Sequence, residues 1–128
     1  MGSYSDEIKL KLEEAIDKLQ TAKKSLENGQ LDTAAARASE SAFHTGSALL
    51  LDEDIETGQQ GDVITRIQEI FVNGRRLTKE QGGDLGWLFA MKNAEDRGAS
   101  LRVTLEEAQR AVEIAESFIE AAKVILEG

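Results

Sequence analysis

Apolar residues recur every three or four positions along most of the chain, which is the spacing of a buried stripe on an α-helix. The first such stripe consists of Ile8, Leu12, Ala15, Leu19, Ala22 and Leu26. It predicts a helix over residues 5–27 that ends at Asn28-Gly29, because glycine readily takes the left-handed conformation that closes helices. A second helix should begin at Asp32, a good N-cap residue, and run to about Leu51.

The third and fourth helices follow a polar stretch at 52–62. Apolar side chains predict a helix from near Asp62 to Asn73-Gly74. A fourth helix should run from Lys79 or Leu85 to Asp96. Its beginning carries a Thr78-Gln81 capping box and three glycines, and each glycine weakens a helix by about 1 kcal/mol relative to alanine. We therefore expect this helix to be irregular at its start.

The last helix has the clearest pattern. Thr104 and Glu107 form a second capping box. Behind it the apolar stripe continues for about six turns, to Leu126, and its width predicts packing against two neighbours. Because no segment alternates apolar and polar residues with period two, the fold class is all-α. We predict an antiparallel up-and-down bundle of four long helices plus a short or irregular helix.

The domain organisation follows from length and composition. The chain has 128 residues, of which 41% are hydrophobic, a size typical of a single domain. We assign residues 1–4 to a disordered or vector-derived leader and residues 5–128 to one helical domain. No apolar run approaches the length of a membrane span, so we expect no membrane association and a cytoplasmic location.

Charge is unevenly distributed. The net charge is −9, which disfavours tight non-specific binding to nucleic acid, because that binding depends on basic residues that neutralise phosphates. Residues 63–102 nevertheless carry seven basic and five acidic side chains. This block either faces an anionic ligand or an acidic subunit, or is an ordinary solvated surface of mixed charge.

Few catalytic motifs are present. The chain has no cysteine and one histidine, His44, so a zinc site or thiol chemistry is not expected. The glycines at 82–86 do not follow a strand and lack the lysine of a phosphate-binding loop. We predict neither a metal site nor a cofactor.

His44 lies in a polar sector of the second helix. At about 100° per residue, Arg37, Glu40, Ser41 and His44 share a sector about 100° wide. In one interpretation Glu40 and Arg37 interact with the His44 side chain on a partly exposed face, and His44 has no catalytic role. In the other, Arg37 holds an anionic group and His44 transfers protons or donates a hydrogen bond. The sequence leaves both open.

A series of short motifs gives the chain its family resemblance. They are Ala22, Leu26 and Gly29; Arg37, Ala38, Phe43, His44 and Ala48-Leu49-Leu50; EIFV at 69–72; LTKE at 77–80 with Gly82; LF at 88–89; Asp96 and Gly98; VTLEEA at 103–108; and AESFIEAA at 115–122. In order and spacing they resemble the small stand-alone HEPN domains (higher eukaryotes and prokaryotes nucleotide-binding), over about residues 10–126.

The resemblance implies a helical bundle that forms a homodimer. It also implies either the partner of a minimal nucleotidyltransferase in a two-component, toxin–antitoxin-like system, or a metal-independent ribonuclease. The ribonuclease motif is an arginine followed by a histidine after four to six residues, in a cleft that both protomers form. In the subgroup that the chain resembles, the corresponding segment reads Arg-x-x-Ala-Asp-Tyr.

The chain departs from that segment. Lys92 replaces the arginine, Glu95 replaces the alanine and Arg97 replaces the tyrosine. Only Asp96 matches the family segment. Lysine lacks the guanidinium fork that grips a phosphate through two hydrogen bonds. The paired tyrosines that are frequent in the family's second helix correspond to Ser39 and Glu40.

Three functions follow as hypotheses. The leading one is an interaction module that partners a nucleotidyltransferase, with a cleft of Arg37, His44, Lys92 and Arg97 that could contact nucleotide or RNA phosphates. The second is a ribonuclease in which Lys92, Asp96 and His44 are catalytic. The third is a histidine phosphotransfer domain that uses His44. The sequence favours a non-catalytic role without excluding an enzyme.

Overall fold

The structure, a computed structural model, describes residues 5–57, 59–96 and 102–128. It contains five α-helices in chain order: α1 Asp6–Glu27, α2 Leu31–Asp52, α3 Gln60–Ile67, α4 Lys79–Phe89 and α5 Leu105–Glu127. A π-helix, Gln68–Val72, continues α3, and a 3₁₀ helix, Ala90–Asp96, continues α4. The described residues contain no strand, and the all-α prediction is confirmed.

The helices alternate in direction around a common core. The Ser41 hydroxyl of α2 donates to the Ala15 carbonyl of α1, and a three-residue turn joins these two helices. The Val103 amide donates to the Asp32 carboxylate, so α5 begins beside the start of α2. α4 runs opposite to α5, and its Asp84 pairs with Arg110. The predicted up-and-down bundle therefore consists of α1, α2, α4 with its 3₁₀ extension, and α5.

The ends of α1 and α5 agree with the sequence analysis. α1 stops at Glu27, and Gly29 has a φ of +75°. The Thr104 hydroxyl accepts a hydrogen bond from the Glu107 amide, while the Glu107 side chain accepts one from the Thr104 amide. These reciprocal bonds satisfy amide groups that the first helical turn leaves without partners.

Two local predictions are wrong. Asp32 is not the N-cap of α2: the cap is Gln30, which makes no side-chain capping bond, and the Asp32 carboxylate accepts from the Val103 amide instead. The fourth helix is regular at its glycine-rich start, which begins with a complete Thr78-Gln81 capping box, and irregular at its end. The break occurs at Asn93, whose φ and ψ of −105° and 21° are not helical.

The core is built around α2. Its buried face carries small side chains that let neighbouring helices approach closely: Ala34, Ala35, Ala38, Ala42, Gly46 and Ala48. A Cβ atom on Gly46 would lie 2.7 Å from Val63 Cγ1 of α3, so only glycine allows this contact. α2 is the central helix of the bundle, and its other face carries polar groups toward α1 and the 3₁₀ helix.

Residues 1–4 and 97–101 lie outside the described residues. The predicted N-terminal leader falls there, as do Arg97 and Gly98. Among the described helices, none is long and apolar enough to cross a membrane.

Candidate functional site

Two of the five candidate residues, Arg37 and His44, lie on one face of α2. We call this face the α2 polar stripe; it consists of Thr33, Arg37, Glu40, His44 and Ser47. These positions are three or four apart, so a single helical face presents them. The stripe faces the 3₁₀ helix at its N-terminal end and α1 along the rest. Its residues are half-buried or buried, which makes it a seam between elements rather than a fully solvated surface.

Arg37 is held by two carboxylates. Its Nη1 donates to Glu40 Oε2 and its Nη2 donates to Glu95 Oε1, each at 2.5 Å. The Thr33 hydroxyl donates to the other oxygen of Glu95 at 3.1 Å. The hydrogen bond that Arg37 donates to Glu40 raises the pKa of Arg37, burial opposes it, and the negative charge of both carboxylates and the hydrogen bond to Glu95 raise it further. The guanidinium therefore carries its positive charge, and the carboxylates of Glu40 and Glu95 offset that charge.

Glu40 extends the network to α1. Lys18 Nζ lies 3.4 Å from Glu40 Oε1, an ion pair without hydrogen-bond geometry. The connected groups therefore span α1, α2 and the 3₁₀ helix through Lys18, Glu40, Arg37 and Glu95. The network contains two cations and two carboxylates, so it has no net charge to offer a further anion.

His44 forms no hydrogen bond to Arg37 or Glu40, the partners that the non-catalytic interpretation gave it, although the charge of Glu40 acts on the ring. Its Nδ1 lies 3.6 Å from Glu14 Oε2 of α1, and its ring meets the Phe43 ring edge-on with centroids 5.4 Å apart. Burial lowers the pKa of His44 and outweighs the opposing attraction of Glu14, while Lys18 and Lys11 lower it further. The ring is therefore neutral at neutral pH, with only 20% of the side chain exposed.

Two of the remaining candidates lie on the 3₁₀ helix. Lys92 and Asp96 are exposed, and neither forms an ion pair with any residue that the structure describes. Arg97 lies outside the described residues. The structure brings this helix to Arg37, as the sequence hypothesis requires, but through Glu95. From the sequence we assigned no role to Glu95, although it replaces the alanine of the family segment, and that departure was the available signal.

A small cavity adjoins the far end of the α2 polar stripe. It has a volume of about 60 Å³ and is lined by Lys11, Ser47 and Thr57, among others. The hydroxyls of Ser47 and Thr57 are buried without a hydrogen-bond partner among the described residues. Buried hydroxyls in a polar cavity of this size are satisfied by ordered water. No group of three or more metal-ligating side chains occurs in the ranges that the structure describes.

A separate groove lies between α4 and α5, away from the α2 polar stripe. Its volume is about 200 Å³. It is lined by Leu77, Gln81, Asp84, Leu85, Glu113, Ile114, Ser117 and Phe118. None of the candidate site residues, Arg37, His44, Lys92, Asp96 and Arg97, contributes to it.

A model of the HEPN domain family matches residues 8–125, nearly the whole chain. The chain belongs to the HEPN family. This HEPN match confirms the resemblance that the short motifs indicated, and the helical bundle agrees with it. No curated protein matches the chain at a significant level.

Proposed function

We propose that this HEPN-family chain is an interaction module that partners a minimal nucleotidyltransferase in a two-component, toxin–antitoxin-like system of the cytoplasm. HEPN domains often dimerise, and we include a homodimer in the proposal. The acidic character of the chain, with a net charge of −9, suits a protein partner better than free nucleic acid.

The observation that carries this proposal is the neutralised state of Arg37. A guanidinium that binds a scissile phosphate has to present its fork of donors to the ligand. Here Glu40 and Glu95 accept from both terminal nitrogens of Arg37. A phosphate would have to displace a carboxylate and would meet the charge of the other. This arrangement supports a structural role for Arg37.

A second observation points the same way. General acid–base catalysis requires groups that converge on one reacting bond. His44 contacts Glu14 of α1, whereas Lys92 and Asp96 are exposed on the 3₁₀ helix. The described contacts do not join these three residues into one constellation.

One contact favours the alternative, a metal-independent ribonuclease. The Glu95 carboxylate forms an ion pair with Arg37, and Glu95 belongs to the segment that corresponds to the family's ribonuclease motif. An RNA phosphate that replaced the Glu95 carboxylate would lie between Arg37 and the 3₁₀ helix that carries Lys92 and Asp96. These two residues and His44 would then be the catalytic candidates.

An RNA cleavage assay in EDTA separates the two functions. We would incubate the purified chain with labelled tRNA and unstructured RNA, beside Lys92→Ala and His44→Ala variants and a Lys24→Ala control at an exposed site on α1. We expect intact RNA with every protein. Cleavage by the wild type that Lys92→Ala or His44→Ala abolishes and Lys24→Ala retains would instead establish the ribonuclease.

Partner binding is the direct test of the interaction module. We would co-express the chain with a minimal nucleotidyltransferase from the same source and measure the mass of the purified species by light scattering. We expect a complex that contains both proteins. Separate elution of the two proteins at micromolar concentration would contradict the proposed partnership, whatever the outcome of the cleavage assay.

A further inference from the structure

The α4–α5 groove has an apolar floor and a polar rim. Leu77, Leu85 and Phe118 form the floor and are almost completely buried. Ile114 forms a half-buried wall. The rim consists of Gln81, Asp84, Glu113 and Ser117. Such an arrangement binds an apolar group of a ligand, and the polar rim selects for the polar groups that the ligand carries next to it.

The rim is ordered by contacts within the chain. The Gln81 side chain accepts a hydrogen bond from the Thr78 amide in the capping box. Asp84 receives a hydrogen bond of 3.4 Å from Arg110, whose guanidinium stacks on the Trp87 ring at 4.2 Å from its centroid. A partner that binds here therefore meets a largely preformed site and orders few side chains.

The charge of the rim is negative. Asp84 is partly neutralised by Arg110. Glu113 is exposed and forms no ion pair with any residue in the described ranges. Both carboxylates would repel phosphate groups, which disfavours nucleic acid as the occupant. A second copy of the chain would bring its own net charge of −9 to an acidic rim, which disfavours self-association at this face.

The size of the groove indicates a single side chain. Small-molecule pockets usually enclose about 300–1,000 Å³. The groove has about 200 Å³, enough for one large apolar side chain with its backbone outside. Basic residues next to that side chain would meet the exposed carboxylate of Glu113.

We propose that the α4–α5 groove docks a basic segment of a partner protein, which inserts one apolar side chain over Leu85 and Phe118 and places lysine or arginine against Glu113. The inference rests on the proposed function as an interaction module and adds the surface and the chemistry of the partner. It does not involve Arg37, His44 or the 3₁₀ helix.

A titration with short peptides tests the recognised chemistry. The probe is acetyl-Lys-Leu-Arg amide, added to ¹⁵N-labelled protein. The controls are acetyl-Glu-Leu-Glu amide, which reverses the charge, and acetyl-Lys-Gly-Arg amide, which removes the apolar side chain. We expect saturable chemical-shift changes around Leu85, Ile114 and Ser117 with the first peptide alone. Equal changes with the acidic peptide, or none in the groove with the basic one, would overturn the proposal.

Two pairs of variants locate the binding site. Ser117→Phe fills the groove from an exposed position, and Gln109→Phe adds the same ring at an exposed position of α5 outside it. We expect Ser117→Phe to abolish saturable binding and Gln109→Phe to retain it. Glu113→Gln should weaken binding about two- to fivefold, as expected for one exposed charge pair, and Glu120→Gln should not. Matching circular dichroism spectra verify folding, and equal binding within either pair would contradict the assignment.

The same variants separate this inference from the proposed function. If the nucleotidyltransferase binds the wild type and Gln109→Phe but not Ser117→Phe, both proposals stand. If it binds Ser117→Phe equally well, the groove assignment fails and the interaction module stands. If Ser117→Phe converts a dimer into a monomer in sedimentation experiments, the groove is a self-association surface and the inference is overturned.

Discussion

The chain between α2 and α5 differs in kind from the helices on either side of it. α1, α2 and α5 are uninterrupted α-helices of 22, 22 and 23 residues. The segment Gln60–Asp96 instead consists of α3, a π-helix, a turn, α4 and a 3₁₀ helix. Both regions supply fully buried core residues, such as Leu49 in α2 and Phe71 in the π-helix.

The difference shows where helical regularity has local causes. In the long helices a continuous apolar stripe favours the helix along its whole length, and capping residues support it at the start of α1 and α5. In the interrupted segment, the shape depends on contacts with other elements, especially α2. Gly46 admits Val63 at one end of the segment, and Arg37 binds Glu95 at the other. The following substitutions test this dependence.

The largest effect should come from Leu49→Ala. Leu49 is completely buried in α2, and truncation of such a leucine costs about 2–5 kcal/mol through lost burial and the cavity that remains. We expect that loss in the free energy of unfolding by urea, with faster amide exchange in both regions. Leu10→Ala, at a site 58% exposed, is the control and should change stability by less than about 0.5 kcal/mol. Faster exchange confined to α2 would show that the two regions are not coupled.

Replacing glycine by alanine should change the free energy of unfolding in opposite directions at two sites. Gly46→Ala would place Cβ 2.7 Å from Val63 Cγ1 and should destabilise the chain by about 1–3 kcal/mol through overpacking. Gly83→Ala in α4 meets nothing within 4 Å and should stabilise it by about 0.5–1 kcal/mol. Urea unfolding of both variants provides the comparison. Stabilisation by Gly46→Ala would contradict the close contact between α2 and α3.

Glu95→Gln should loosen the 3₁₀ helix from α2. The substitution removes the charge that faces Arg37 and keeps the side chain's size. Because the Glu95 side chain is 39% exposed, we expect a loss of no more than about 1 kcal/mol. Amide exchange should accelerate in residues 90–96 more than in α5. Glu120→Gln, in a far more exposed pair with Lys123, is the matched control, and equal exchange in both variants would mean that Glu95 does not anchor the segment.

The smallest effect concerns His44. Its pKa is lowered by burial, so the unfolded chain binds a proton at pH values where the folded chain does not. Stability is therefore complete above the unfolded pKa of about 6.5 and falls as the pH decreases toward the lower folded pKa. Between about pH 7.5 and about pH 5.5, the wild type should lose more unfolding free energy than His44→Gln.

A proton NMR titration of the single imidazole checks the His44 prediction independently. It should give a pKa below the ordinary histidine value. An ordinary or raised pKa, together with equal pH dependence of the two proteins, would contradict the half-buried position of His44 beside α1.

The structure also shows which features of the site can be predicted from the sequence. The 3.6-residue period placed Arg37, Glu40 and His44 on one face of α2, and they lie there. The same period says nothing about which charges pair across elements. Glu95 and Glu14 lie 58 and 30 residues from their partners Arg37 and His44, so only the packing of the 3₁₀ helix and α1 against α2 reveals these contacts.

Asp32 illustrates the same limit for a local rule. Aspartate before a helical stripe is a good N-cap, but the side chain instead accepts from the Val103 amide, 71 residues away. A carboxylate can accept a hydrogen bond either from an amide in the first turn of its own helix or from a distant backbone amide, with a comparable gain in stability. The tertiary fold decides between them.

By itself, the sequence determined the fold class, the HEPN family and the limits of the regular helices, because apolar periodicity and capping boxes act within a few residues. Only the tertiary structure decided that Arg37 pairs with two carboxylates, that His44 is half-buried beside α1, and that α4 and α5 leave an apolar groove with an acidic rim. These features depend on side chains from distant segments of the chain, which only the packing of the helices brings together.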